Sequence, residues 1–205
     1  MKKFFKFVAV ILLLVLAFWL GTVASDKARL SNGVLRLHVI AASDSEEDQA
    51  LKLKVRDAIN EELDSLMDEF SDMESAKNYL MEPLPQVEQI SNRVLQEACS
   101  NCKATVSLTR EPFSTREYDT FVLPAGIYEA LRVTIGPGEG KNWWCVVFPG
   151  LCISTSSDEF ADAAAGAGFS DQLTGAITGK GEYKVRFFVL DCIGWVENWI
   201  YEKIT

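Results

Sequence analysis

LRLHVIAASDSEEDQALKLKVRD (Leu35–Asp57) holds a strand, a polar corner and the start of a helix, each with its own physical signal. Leu35, Leu37 and Val39 alternate with Arg36, His38 and Ile40, a period of two that predicts a β-strand with the first three on its more apolar face. Ala41 and Ala42 lead into the corner. There Ser43 and Glu46 have capping-box spacing and Ser45 is a second candidate N-cap. Asp44, Glu46, Glu47 and Asp48 crowd the place where the positive end of a helix favours negative charge. Leu51, Val55, Ala58, Ile59, Leu63, Leu66, Met67 and Phe70 then recur at helical spacing, which predicts one long amphipathic helix.

Downstream, Ser71 and Glu74 repeat the capping-box spacing ahead of a short helix through Ala76 and Leu80, which Pro83 and Pro85 stop. Val87, Ile90, Val94, Leu95 and Ala98 form the stripe of a third helix. The period then changes, because Ala104, Val106 and Leu108 alternate with Thr105, Ser107 and Thr109 as in a strand with one wet face. Tyr118–Leu123 and Tyr128–Ile135 read as two strands joined in a hairpin at Pro124, Ala125 and Gly126. Gly136, Gly138 and Gly140 mark a hairpin turn before a strand over Trp143–Phe148. From Asp158 to Lys180 the chain thins into Ala, Gly, Ser and Thr, too poor in large apolar groups to offset its ordering entropy, and a loosely packed loop is expected. Tyr183–Val189 has strand character, and Asp191–Ile204 closes the chain as a helix. The sum is an α+β fold in one exported domain: N-terminal strand and helices, a mostly antiparallel sheet, and a C-terminal helix on one face.

The first residues differ from all of this. Lys2, Lys3 and Lys6 precede an unbroken apolar run, Phe7–Leu20, followed by Gly21, Thr22, Val23, Ala24 and Ser25. That is the layout of a signal peptide over residues 1–24, with small residues that permit cleavage after Ala24. The span Phe7–Ala24 also suffices for an uncleaved membrane anchor, and membrane contact would then run through it. Both readings export residues 25–205. At 205 residues the chain has room for one domain and this appendage. Its 20 basic and 29 acidic residues leave a net charge of −9, which argues against nucleic acid as a partner, since that binding needs Lys and Arg against phosphates.

The residues that carry chemistry are few. His38 is the single histidine, so a hydrolase would have to use it, yet it sits in mid-strand rather than on a loop. The acidic corner lacks the alternating ligands, central Gly and distal Glu of a calcium loop, and helix capping accounts for its four acids. Cys99 and Cys102 form a CxxC, the pattern of a thiol oxidoreductase, but Cys99 ends a helix where a thiolate is disfavoured. Cys145 and Cys152 are spaced for a disulfide across a turn in an exported domain, which leaves Cys192 odd unless the pairing differs. The glycine run before Lys141 leads into Trp143 rather than a helix and lacks the pattern of a phosphate loop; Asp119-Thr120-Phe121 lacks the Gly of an aspartic-protease loop. No metal or cofactor is implied. Trp195 and Trp199 stand four apart on the last helix, either as core or as an aromatic contact patch.

LRLHVIAASDSEEDQALKLKVRD together with LPAGIYEALRVTIGPGEGKNWWCVVFPGLC, from Leu35 to Cys152, resembles the stage II sporulation protein R family of endospore-forming bacteria. Met67–Asn101 and the region after Ser154 carry little of the likeness. The resemblance implies a protein made in the forespore and exported into the space between the forespore and mother-cell membranes. There it would activate a membrane-embedded aspartic protease, which removes the pro-segment of a mother-cell sigma factor. His38, Ser43, Asp44, Asp48, Lys52 and Arg56 match the first block of the family; Asn142, Trp143, Trp144, Cys145, Phe148, Pro149 and Cys152 match the second, and Gly150 stands where the family has proline. Of these, His38, Ser43, Asp44, Asp48, Trp143 and Trp144 are the expected partner contacts. The rival class is an extracytoplasmic enzyme, a thiol oxidoreductase on Cys99 and Cys102 or a hydrolase on His38.

Overall fold

Helix α1 (Lys2–Gly33) delivers the chain into β1 (Leu35–Ile40), the strand around which everything else is layered. The computed structural model describes residues 1–67, 70, 73–98, 100–118, 120–148, 164–166, 168–179 and 184–204. After β1 come α2 (Glu46–Met67), α3 (Met73–Met81), α4 (Leu84–Glu97), β2 (Ala104–Phe113), the short β3 (Arg116–Glu117) and β4 (Val122–Leu123), β5 (Gly126–Ile135) and β6 (Asn142–Phe148). Two helices close the chain, α5 (Asp171–Ile177) and α6 (Lys184–Ile204).

The main sheet has the order β2-β5-β1-β6, with β1 parallel to β5 and the other pairs antiparallel. Every residue of β1 is buried, because both faces of the sheet are covered. On one face Leu35, Leu37 and Val39 meet Leu51, Val55 and Ile59 of α2 and Val87 and Leu95 of α4. On the other, Leu30 of α1, Phe169, Leu173 of α5 and Leu190 of α6 pack with Phe113, Tyr128 and Val146 of the strands. Edge strand β2 is closed off by α4: the Asn92 amide exchanges two hydrogen bonds with the backbone of Ala104, and Glu88 accepts from the Val106 amide at 3.1 Å. That spares the domain an open sheet edge.

Several elements arise as the sequence predicts. Pro83 and Pro85 both end α3 and open α4, since a proline in a first helical turn forgoes an amide that has no partner there anyway. The cap of α2 is Ser45, the second of the two expected candidates, whose hydroxyl accepts from the Asp48 amide at 3.1 Å, two residues later than the Ser43–Glu46 box. Ser71, proposed as the cap of α3, lies outside the described residues, as do Cys99, Asp119, residues 149–163 and Tyr183.

Four expectations are corrected. Tyr118–Leu123 forms no strand paired with β5. The Tyr118 amide donates to the Phe121 carbonyl at 2.8 Å and the two rings stack 4.6 Å apart, folding this piece into the tight β3–β4 turn, while β5 takes β2 and β1 as partners. The glycine-rich turn joins β5 to β6, but β1 lies between those strands, so it bridges over the end of β1 instead of closing a hairpin. Lys184–Val189 is helical and continuous with the rest of α6; burial of Arg186 and Leu190 overrides the strand preference of its Val and Phe residues. The Ala/Gly region contains α5, capped by Ser170 and buried at Leu173, Ala176 and Ile177. Its small side chains lose little rotamer freedom on packing, so two large anchors suffice.

Candidate functional site

The bridge from β5 to β6 draws the predicted corner together. Gly140 and Glu139 donate their amides to the carbonyls of Ala41 and Ala42 at 3.0 and 3.3 Å, and Lys141 donates to Asp44 Oδ1 at 2.8 Å. A Cβ at Gly140 would stand 2.2 Å from the Ser43 carbonyl oxygen, so only glycine lets the two backbones approach this closely. Ser43 sits between the layers: its hydroxyl accepts from the Ser45 amide and donates to the Asp48 carboxylate, and its carbonyl accepts from Gln49. Lys52 reaches from α2 to donate to the Lys141 carbonyl at 3.0 Å and to Gln49. Burial pulls the Lys52 ammonium below the ordinary lysine pKa, with Asp44 opposing that shift.

Trp143 completes this surface. It lies opposite Val39 and therefore on the α2 face of the sheet, where the Arg56 guanidinium covers its ring at 4.3 Å. The result is an exposed ledge of Asp44, Glu46, Glu47 and Trp143, braced from beneath by buried Lys52 and by Ser43. Chemically it offers carboxylates and an aromatic edge, suited to recognising a basic or amphipathic surface.

Trp144 and His38 face the other way. They are cross-strand partners on the α6 face and stack at 5.7 Å between centroids. His38 Nδ1 lies 2.6 Å from Glu111 Oε1, and Glu111 Oε2 is 3.2 Å from Arg132. Beside them Arg36 is wholly buried, its guanidinium 3.9 Å from the Phe113 ring centroid and bonded through Nη2 to the Tyr118 hydroxyl; Arg116 lies 3.6 Å above Trp144. Burial, then repulsion from Arg36, lowers the Arg116 pKa, and burial raises that of the Tyr128 hydroxyl. The six predicted contacts thus divide: Ser43, Asp44, Asp48 and Trp143 come together at the ledge, whereas His38 and Trp144 belong to a buried polar layer behind it. Glu111, Arg36 and Arg116 escaped the sequence reading, since each finds its partner only through the sheet.

The enzyme readings gain little from this geometry. His38 has an orienting carboxylate, but among the described residues no hydroxyl or thiol is bonded to its buried Nε2, as the nucleophile of a hydrolase would be. Cys102 and Cys192 are free thiols, and Cys145 is disulfide-bonded. Its expected partner Cys152 and the first cysteine of the CxxC, Cys99, lie outside the described residues. Among the described residues no group of three His, Cys, Asp or Glu side chains is placed to hold a metal ion.

Comparison with known proteins covers the sheet, α2 to α4 and the residues of the ledge and of the His38–Trp144 group, and leaves out α5, α6 and nearly all of α1. The family model described as stage II sporulation protein R matches residues 31–158. A curated relative, stage II sporulation protein R of Bacillus subtilis (strain 168), is 38% identical over 118 residues, which cover 58% of this chain and 53% of the relative. The chain therefore matches about half the length of that relative. No solved structure matches.

Proposed function

Because the chain belongs to the stage II sporulation protein R family, we propose that it is an exported sporulation signal that switches on a membrane-embedded aspartic protease, leading to processing of a mother-cell pro-sigma factor. The observation that carries this reading is the family match over residues 31–158. The apolar helix at the N-terminus, long enough to cross a membrane, supports export or anchoring.

The ledge is the contact surface in this proposal. It is exposed, it is rigidly braced, and it belongs to both blocks of the family likeness, while His38 and Trp144 hold the sheet behind it in shape. A ligand activates by binding the active state of its target more tightly than the inactive one, and a ligand indifferent between the two shifts nothing. No catalytic group of this chain takes part.

The test is co-expression of this protein, the candidate protease and the pro-sigma factor in a host that does not sporulate. Processing that requires this chain is the expected result. Processing at the same rate without it would remove the activator role.

A further inference from the structure

The outer face of α6 is apolar from Val185 to Trp199. Taking Leu190 and Gly194 as the side turned to the sheet, Val185, Phe188, Cys192, Trp195, Val196 and Trp199 all fall on the opposite side, over about 21 Å of helix. They are open to solvent: Phe188 is 65% exposed, Trp195 58% and Trp199 61%. The two acids of this stretch are turned inward, Asp191 to Thr115 and the Ala125 amide, Glu197 to Lys27. Lys184 and Lys203 stand exposed at the two ends. Core packing, one of the two sequence readings of Trp195 and Trp199, is therefore excluded.

What covers this face follows from where α6 is held. It is clamped to α1 by Asp26–Arg186, a buried ion pair, and by Lys27–Glu197. Leu20 is the last residue of the apolar run and Val23 is already fully buried in the domain, so one helical turn separates the bilayer segment from the folded body. The apolar surface is also continuous between the two helices, since Ile193, Ile200 and Ile204 of α6 and Ala24 and Ala28 of α1 line one cleft of about 670 Å³.

We infer that α6 is an interfacial helix that lies on the headgroup region of the same bilayer that takes the first half of α1, with Phe188, Trp195 and Trp199 inserted. Tryptophan prefers that depth, and an apolar face flanked by lysines is the pattern of helices that lie on membranes. The acidity of the chain does not oppose it, because the inserted face from Val185 to Trp199 carries no acid and exposed Glu202 stands beyond it, near Lys203 at the end of the helix. The inference rests on reading α1 as a bilayer segment.

The experiment uses the full chain in vesicles of phosphatidylcholine and phosphatidylglycerol with brominated acyl chains, which quench inserted indoles. Trp19→Phe removes the signal of α1 itself; a second protein adds Trp195→Phe and Trp199→Phe, and flotation is scored for both. The expected result is flotation of both, with the fraction of fluorescence quenched falling roughly two-fold or more in the second protein, because the indoles it keeps, Trp143 and Trp144, lie off the inserted face. Equal quenching in both would overturn the docking of α6 while leaving α1 in the membrane. So would efficient crosslinking between Cys192 residues of two copies, which would make the face a dimer contact. A chain that fails to float would overturn both readings.

Discussion

The two faces of the central sheet solve the same problem with different materials. Towards α2 and α4, β1 presents Leu35, Leu37 and Val39, and the centre of the layer is apolar, with polar contacts from Lys52, Lys77, Glu88 and Asn92 only at its margins. Towards α1 and α6 it presents Arg36 and His38, and the layer is held by a cation against aromatic rings, a His–Glu–Arg chain and the buried Asp26–Arg186 pair. An apolar face tolerates approximate fit at modest cost, whereas a buried polar layer depends on each partner being present. The difference predicts where the domain breaks when single groups are removed.

The largest effect is expected from Asp26→Ala, which strands Arg186 in the interior and should cost about 3–5 kcal/mol. Chemical denaturation measures it; a loss below about 1 kcal/mol would mean the pair is solvated and the faces are more alike than drawn. Leu37→Ala, on the apolar face, should cost about 2–5 kcal/mol through transfer and cavity terms. Glu111→Ala comes next, at about 1–3 kcal/mol, because it deprives His38 and Arg132 of their acceptor.

Lys27→Met should change stability least at neutral pH, yet it sharpens the contrast through its pH dependence. Burial lowers the Lys27 pKa in the folded protein, with Glu197 opposing it. The unfolded chain then binds more protons than the native one in the alkaline range, so stability rises as pH climbs towards the ordinary lysine value. In Lys27→Met that rise should shrink. Parallel stability–pH curves for the two proteins would show that Lys27 is not desolvated in solution.

The same contrast explains what the sequence reveals. β1, the corner and α2 are legible because alternation, capping and helical period are local signals within Leu35–Asp57. The apolar face follows from the same periods. The polar face does not, because Glu111 looks like one more alternating strand residue until the sheet brings it to His38, and Asp26 meets Arg186 from the far end of the chain. Lys184–Val189 misleads for a related reason: its Val and Phe residues favour a strand, and only the pairing of Arg186 with α1 makes the helix run through it. The ledge is half legible, since Asp44 and Trp143 each carry a local signal, whereas the bridge through Lys141 that joins them exists only once the sheet is assembled.

The central claim is that the exposed ledge docks the protease and the buried layer behind it only supports. The most direct measurement is pro-sigma processing in the co-expression host with Glu46→Lys/Glu47→Lys, two exposed ledge acids that brace nothing, alongside the denaturation midpoint of the same variant. The account predicts that processing is lost while stability stays within about 1 kcal/mol of the parent, as expected for surface changes. Full processing by the charge-reversed protein would contradict it and leave the ledge as scaffold.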